Sequence, residues 1–165
     1  MQLHGRIHQL PTYVKQFIAA FVIVLSVGYF TGLNFVKQTD STNANGLVEN
    51  YLGNEDAEDV AVMKFKKGER EMLTIIHTHI LSISSIFFLL GGLVAITSLP
   101  KKLKAFLMIE PFFSILLTFG GIYFMWKGML WMKWVVMISG TLMTVVYIIA
   151  AVAVLLQLFV SAEKK

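Results

Sequence analysis

Two histidines and one glutamate stand where ionisable groups are rare. His77 and His79 lie in the apolar run from Leu73 to Ile96, and Glu110 lies in the run from Ala105 to Trp126. Groups of this kind are costly in hydrocarbon and usually face a partner, a ligand or water. Imidazole is a common ligand of haem iron and of transition metals, and it exchanges protons near neutrality. His77-Thr78-His79 is therefore open to several uses. The rings can hydrogen-bond across helices as neutral groups, to Thr74, Tyr29, Asn34 or Tyr123; they can ligate haem b or a transition metal; or they can handle protons or touch a quinone.

Helical geometry narrows these uses. Residues two apart on a helix point about 200° from each other, so both rings do not ligate one ion from a regular helix. One is expected to face the bundle and the other the loop or a neighbouring subunit. No other apolar run holds a histidine. A second axial haem ligand would then be a methionine at similar depth, Met125 or Met137, or a residue of another subunit. For a metal ion, Glu71 and Glu55 are the carboxylates that join His77 and His79 at the same end of the run. His4 and His8 have i, i+4 spacing, but they sit beside Pro11 near the start of the chain, a poor place to hold an ion.

Glu110 lies a few residues into its run and next to Pro111. It is expected to differ in depth from His77 by about 15 to 20 Å, given ~30 Å of hydrocarbon, so a shared His–Glu metal site is not expected. Its readings are an ion pair with Lys104 or Lys101 reaching down from the interface, or a proton-relay or ligand role.

The elements that carry these residues are four long apolar runs, about Phe17 to Val36, Leu73 to Ile96, Ala105 to Trp126 and Trp134 to Val160, in a chain of 165 residues. Each is near or above the ~20 residues that cross a bilayer as helix. Hydrophobic residues make up 56% of the chain and charged residues 15%, below the ~25% charged residues usual in soluble domains. Backbone polar groups in hydrocarbon need internal partners, and runs this long without alternation meet that need as helices rather than barrel strands. The predicted fold is all-α, an integral membrane bundle of four transmembrane helices in one domain. Its spans are expected at about 16–38, 72–98, 102–126 and 132–160, with a loop at 39–71. The first run is longer than a signal-peptide core and no small-x-small cleavage pattern follows closely, so it reads as an uncleaved helix.

Basic residues set the orientation. Arg6 and Lys15 before the first run, Lys101, Lys102 and Lys104 in the second connection, and Lys164 and Lys165 at the end fall on one side of a four-span chain. The first connection, about Lys37 to Met72, holds five basic residues against eight acids. By the positive-inside rule both termini are expected in the cytoplasm. Trp126, Trp131 and Trp134 crowd the third connection as an outer aromatic belt. No basic stripe interleaved with aromatics signals nucleic acid. Cysteine is absent, which rules out disulfides and thiolate metal sites.

In the first connection, Thr39 to Gly46 reads as a flexible, turn-rich exit from the first helix. Val48, Tyr51 and Leu52 are spaced for one face of a short helix that Gly53-Asn54 ends, followed by an acidic stretch through Asp59. Gly68 reads as a bend before the second span, with Lys64, Lys66, Lys67 and Arg70 among headgroups or beside the acids. Gly28 and Gly32, Gly91-Gly92, Gly120-Gly121 and Ser139-Gly140-Thr141 supply points of close helix approach, within the chain or between copies. Motifs of hydrolases, zincins and phosphate loops are missing, and the two halves show no inverted repeat.

Tyr51-Leu52-Gly53-Asn54-Glu55, Met63 to Lys67, Glu71 and His77-Thr78-His79 together resemble a group of bacterial four-helix inner-membrane proteins with an HxH motif and no established activity. The resemblance covers about the middle third of the chain, and Gly68 stands where that group carries a serine. It implies a bacterial inner-membrane setting with Gly53, Asn54, Glu55, Glu71, His77 and His79 grouped at the outer face. The reading reached is a small non-catalytic membrane protein, an accessory subunit of a larger complex, with respiratory complexes among the candidates. Its expected partners are the lipid bilayer, other membrane subunits or a second copy of itself. The alternative is a haem- or metal-binding protein that uses His77 and His79 in electron transfer or metal handling.

Overall fold

The computed structural model describes residues 7–55 and 62–159. A 3-10 turn at Ile7–Gln9 precedes five helices: α1 Thr12–Gln38, α2 Ala44–Leu52, α3 Glu69–Ala95, α4 Lys101–Trp126 and α5 Met132–Phe159. No strand occurs among the described residues. The helices α1, α3, α4 and α5 are long and apolar enough to cross a membrane. Their 26 to 28 residues span about 40 Å at ~1.5 Å per residue, the hydrocarbon core plus part of both interfaces. Pro11 and Pro100 stand immediately before α1 and α4, where a missing amide costs no helical bond. With four crossings, α1 begins and α5 ends on one face of the bundle, called here the terminal face. The opposite one is the loop face.

Packing is uneven. The antiparallel pair α4 and α5 forms the centre, α3 lies mainly along α4, and α1 rests on α5. Small residues set the closest approaches. Thr118 and Ser139 share a hydrogen bond of 2.7 Å across the α4–α5 seam, and a Cβ on Gly121 would lie 2.8 Å from a Val136 methyl. Gly91 of α3 receives Met108 of α4. Leu107, Ile115, Met125, Val146, Tyr147, Val154 and Leu158 are buried between these helices. The glycines that neighbour Gly91 and Gly121 are different: Gly92 and Gly120 have no neighbour within 4 Å of a built Cβ, and neither do Gly28 and Gly32 of α1.

Hydroxyls supplement the apolar contacts of α1. Tyr29 stacks on Tyr147 with centroids 3.9 Å apart and planes 1° from parallel. Ser26 meets the Tyr147 hydroxyl at 3.1 Å and Tyr29 meets Thr144 at 3.3 Å. At the terminal face the amide of Ile7 donates to the carbonyl of Ile96 at 3.1 Å, and the Ile7 side chain is fully buried. Ser98 donates to Gln157 from both its backbone amide and its hydroxyl.

On the loop face α2 ends at Gly53, as the spacing of Val48, Tyr51 and Leu52 predicts, and packs across the ends of α4 and α5. The exit from α1 differs from its predicted flexibility. The amide of Ser41 donates to Val36, Asn43 caps α2 through the amides of Asn45 and Gly46, and Asp40 takes a left-handed φ of 56°. A Cβ on Gly46 would come within 1.9 Å of the Asp40 carbonyl oxygen, so only glycine fits there. Polar, glycine-rich sequence produces a tight turn here because its side chains cap the backbone that it exposes.

Candidate functional site

The candidate histidines and Glu71 sit on α3, into which a strap, residues 62–68, leads. Gly68 is the N-cap of α3, and Glu69 and Glu71 occupy its first turn, where acids complement the helix dipole. Met72, Phe87, Leu90, Gly91 and Val94 form the buried face. Thr74, Thr78, Ser82, Ser85, Leu89 and Gly92 are exposed. Their spacing of three and four residues puts them on one stripe. The exposed side of this membrane helix thus carries a stripe of small and hydroxyl residues interrupted by Leu89 and flanked by the exposed Leu81 and Phe88. The hydroxyls of Thr74, Ser82 and Ser85 donate to carbonyls of Arg70, Thr78 and Leu81 on their own helix, at 2.7 to 2.8 Å. Oxygen lone pairs and shallow side chains are what this stripe offers to a neighbour.

His77 and His79 point to different sides, as helical geometry requires. His79 meets the carbonyl of Ile75 at 2.7 Å through Nδ1, and its ring lies 5.1 Å from that of Phe119 on α4. His77 lies on the exposed face of the first turns of α3, beside Glu69, Arg70, Leu73 and Thr74. The expected cross-helix bonds to Tyr29, Asn34 or Tyr123 do not form among the described residues; both rings lie at the helix surface and not in the seam between helices. Met125, foreseen as an axial partner, is fully buried while both imidazoles are exposed.

The carboxylates expected to join them are engaged elsewhere. Glu71 pairs with Lys67 at 2.6 Å, and Glu55 accepts the backbone amide of Lys66 at 3.2 Å. No group of three or more potential metal ligands occurs among the described residues. His4, the partner foreseen for His8, lies outside the described residues, as do Asp56 to Asp59. Glu110 is also placed differently from its expected ion pair. Ser114 donates to one of its oxygens, and the amine of Lys104 goes instead to the carbonyl of Ala95 at 3.0 Å. That carbonyl lies in the last turn of α3, which has no following amide to satisfy it.

Gly53, Asn54 and Glu55 share one structural task. Gly53 has φ 83°, and a Cβ there would lie 2.8 Å from the amide nitrogen of Lys66. Asn54 accepts the amide of Lys64 and donates to the carbonyl of Val62, and the amide of Lys67 donates to Tyr51. These bonds fold the strap back onto α2. A second cluster then fastens the strap to the bundle. Trp126 donates from Nε1 to the carbonyl of Lys67 at 2.8 Å, and the amines of Lys66 and Lys127 lie 5.3 and 4.7 Å from its indole. Lys127 also pairs with Glu69 at 3.2 Å, and that bond pushes its amine above the ordinary lysine range. Burial pushes the Tyr51 phenol up.

Two features were hidden in the linear sequence. The Trp126 cluster joins residues 59 apart, which no local pattern announces. The stripe of α3 did leave a signal, the 3–4 spacing of its hydroxyl residues, but periodicity does not say which face of a membrane helix turns outward.

A family model described as a transmembrane helical domain matches residues 41–165, the stretch from the α1–α2 turn through the end of the chain. No curated protein and no solved structure matches.

Proposed function

From its membership of the Aq_1264_TM family of transmembrane helical domains, to which this chain belongs, we propose that the protein is a small non-catalytic subunit of a larger membrane complex. The outward stripe of α3 is its docking surface for a transmembrane helix of a partner. The carrying observation is the exposure of Thr74, Thr78, Ser82, Ser85 and Gly92, with Leu89 the one large residue among them, on one stripe of a membrane helix whose opposite face is already packed. Helices associate in lipid through close van der Waals contact and polar groups, and small and hydroxyl residues are enriched where they do so. The distribution of lysine and arginine supports cytoplasmic termini and, with them, a position of His77 and His79 near the outer mouth. The resemblance around Tyr51 to His79 supports a bacterial inner membrane, and respiratory complexes are the first partners to examine.

The test uses a tagged chromosomal copy and quantitative mass spectrometry of the purified complex. A stoichiometric companion that is lost with Ser82→Trp and kept with Phe106→Trp, on the exposed side of α4, supports the reading. A companion retained in both variants, or none at all, contradicts it.

The exposed position of His77 favours a second reading. A ring exposed on the face of α3 that makes no hydrogen bond among the described residues is free to ligate haem iron or a metal together with a residue of a partner subunit. A Soret band or bound metal that disappears with His77→Gln would support it.

A further inference from the structure

Glu110 is the titratable group that the docking reading leaves unused. Its carboxyl is held from one side only: Ser114, one turn on, donates to Oε1, whereas Oε2 is buried with no hydrogen-bond partner among the described residues. A buried oxygen without a donor forfeits its solvation, and for a carboxylate the cost is larger than for a neutral acceptor. Pro111, next in sequence, has no amide to give to the carbonyl of Leu107. Three oxygen atoms within two turns of α4 are thereby left with spare acceptor capacity: the second carboxyl oxygen, the Ser114 hydroxyl and the Leu107 carbonyl. Leu107, Pro111 and Ser114 are all buried.

The depth is that of the bundle interior. Thr118 faces Ser139 and Gly121 faces Val136, and this antiparallel register brings Glu110 level with Tyr147. Charged groups of the neighbouring helices lie near their ends, and the two histidines of α3 within three turns of its start. They are Lys15 and Lys37 on α1, Glu69, Arg70 and Glu71 with His77 and His79 on α3, and Lys133 on α5. On α4 itself Lys101 and Lys102 are in the first turn, and Lys104 is held by Ala95. At the depth of Glu110 the titratable neighbours are Tyr147 and Tyr29, whose hydroxyls are engaged by Ser26 and Thr144.

The geometry points to Glu110, with Ser114 and the Leu107 carbonyl, as an intramembrane binding site for one monovalent cation, H+ or Na+. Oxygen donors select hard cations over transition metals. One carboxylate balances one positive charge, and a divalent ion would leave an unbalanced charge in hydrocarbon. Liganding of an ion by side-chain oxygens and a carbonyl freed from its helix is a known solution for membrane cation sites.

The full-length protein in sealed liposomes, treated with dicyclohexylcarbodiimide, tests this. The reagent adds across a protonated carboxyl: the acid proton moves to a carbodiimide nitrogen, the carboxyl oxygen bonds to the central carbon, and acyl migration leaves a stable N-acylurea with no leaving group. Labelling is expected at Glu110, located by peptide mass, and is expected to be lost in Glu110→Gln. Loss of labelling as sodium is raised at fixed pH identifies Na+; loss as pH is raised, with no effect of sodium, identifies H+. Ser114→Ala keeps the reactive carboxyl and is expected to shift the sodium or pH midpoint. Absence of labelling at every pH and sodium concentration, labelling insensitive to both, or an unshifted midpoint in a folded Ser114→Ala protein would overturn the proposal.

Discussion

The α4–α5 seam and the outward side of α3 are built from the same residue types and used in opposite ways. In the seam, Gly121 admits Val136 and Thr118 bonds Ser139, so small size and hydroxyls are consumed within the chain. On α3, Ser82, Ser85 and Gly92 have the same chemistry and face outward. The pairs Gly120-Gly121 and Gly91-Gly92 show the contrast at single-residue scale, one glycine packed and the next open. Lipid solvates apolar side chains as well as protein does, so burial of hydrophobic area does not decide helix contact in a membrane; the fit of small surfaces does. A small-residue stripe that nothing in the chain fills is therefore informative.

The sharpest way to break this contrast is to fill the seam. Gly121→Leu forces side-chain volume against Val136 and is expected to destabilise the fold by about 1–3 kcal/mol, the usual cost of overpacking. Gly120→Leu, into open space, is expected to leave stability nearly unchanged. Unfolding in a mixed-micelle denaturant titration measures both, and equal losses would remove the distinction.

The strap gives a comparison of similar size. Gly53→Ala places a Cβ 2.8 Å from backbone at a left-handed φ, a conformation that alone costs about 1–2 kcal/mol. Gly68→Ala meets nothing. Limited proteolysis is expected to open the loop between α2 and α3 in the first variant only.

Smaller effects belong to the seat of α1. Tyr147→Phe removes the bond to Ser26 and is expected to cost about 0.6 kcal/mol, the average for such bonds in membranes. Thr31→Val, whose hydroxyl serves only its own helix at Val27, is expected to change still less.

The smallest effect is electrostatic. Bonding to Glu69 raises Lys127 above its ordinary value, so the pair's stabilisation is complete below the usual lysine range and is lost as pH rises through the raised value. Screening limits it, because the site is solvent-exposed. Lys127→Gln is expected to lower stability slightly near neutrality, where the pair is fully formed, and to flatten the decline at the alkaline end of a stability–pH profile.

The four spans were legible because length and apolar character alone specify helices in lipid. The end of α2 at Gly53 was legible from a breaker beside an apolar period. The opposed directions of His77 and His79 followed from helical geometry. What sequence left open depended on which helix faces meet. Glu110 was expected to take Lys104, but that amine satisfies the end of α3 at Ala95 instead. Asn54 and Glu55 looked like members of a polar site and serve the strap's backbone, because the strap's return past α2 is a long-range event that local spacing does not encode.

The native chain has no cysteine, so a single introduced thiol carrying a photoreactive group reports its own surroundings. In native membranes, probes at Ser82→Cys and Ser85→Cys are predicted to cross-link to one protein of defined mass, while a probe at Phe106→Cys on the exposed side of α4 reacts with lipid. Lipid adducts at all three positions would contradict the account.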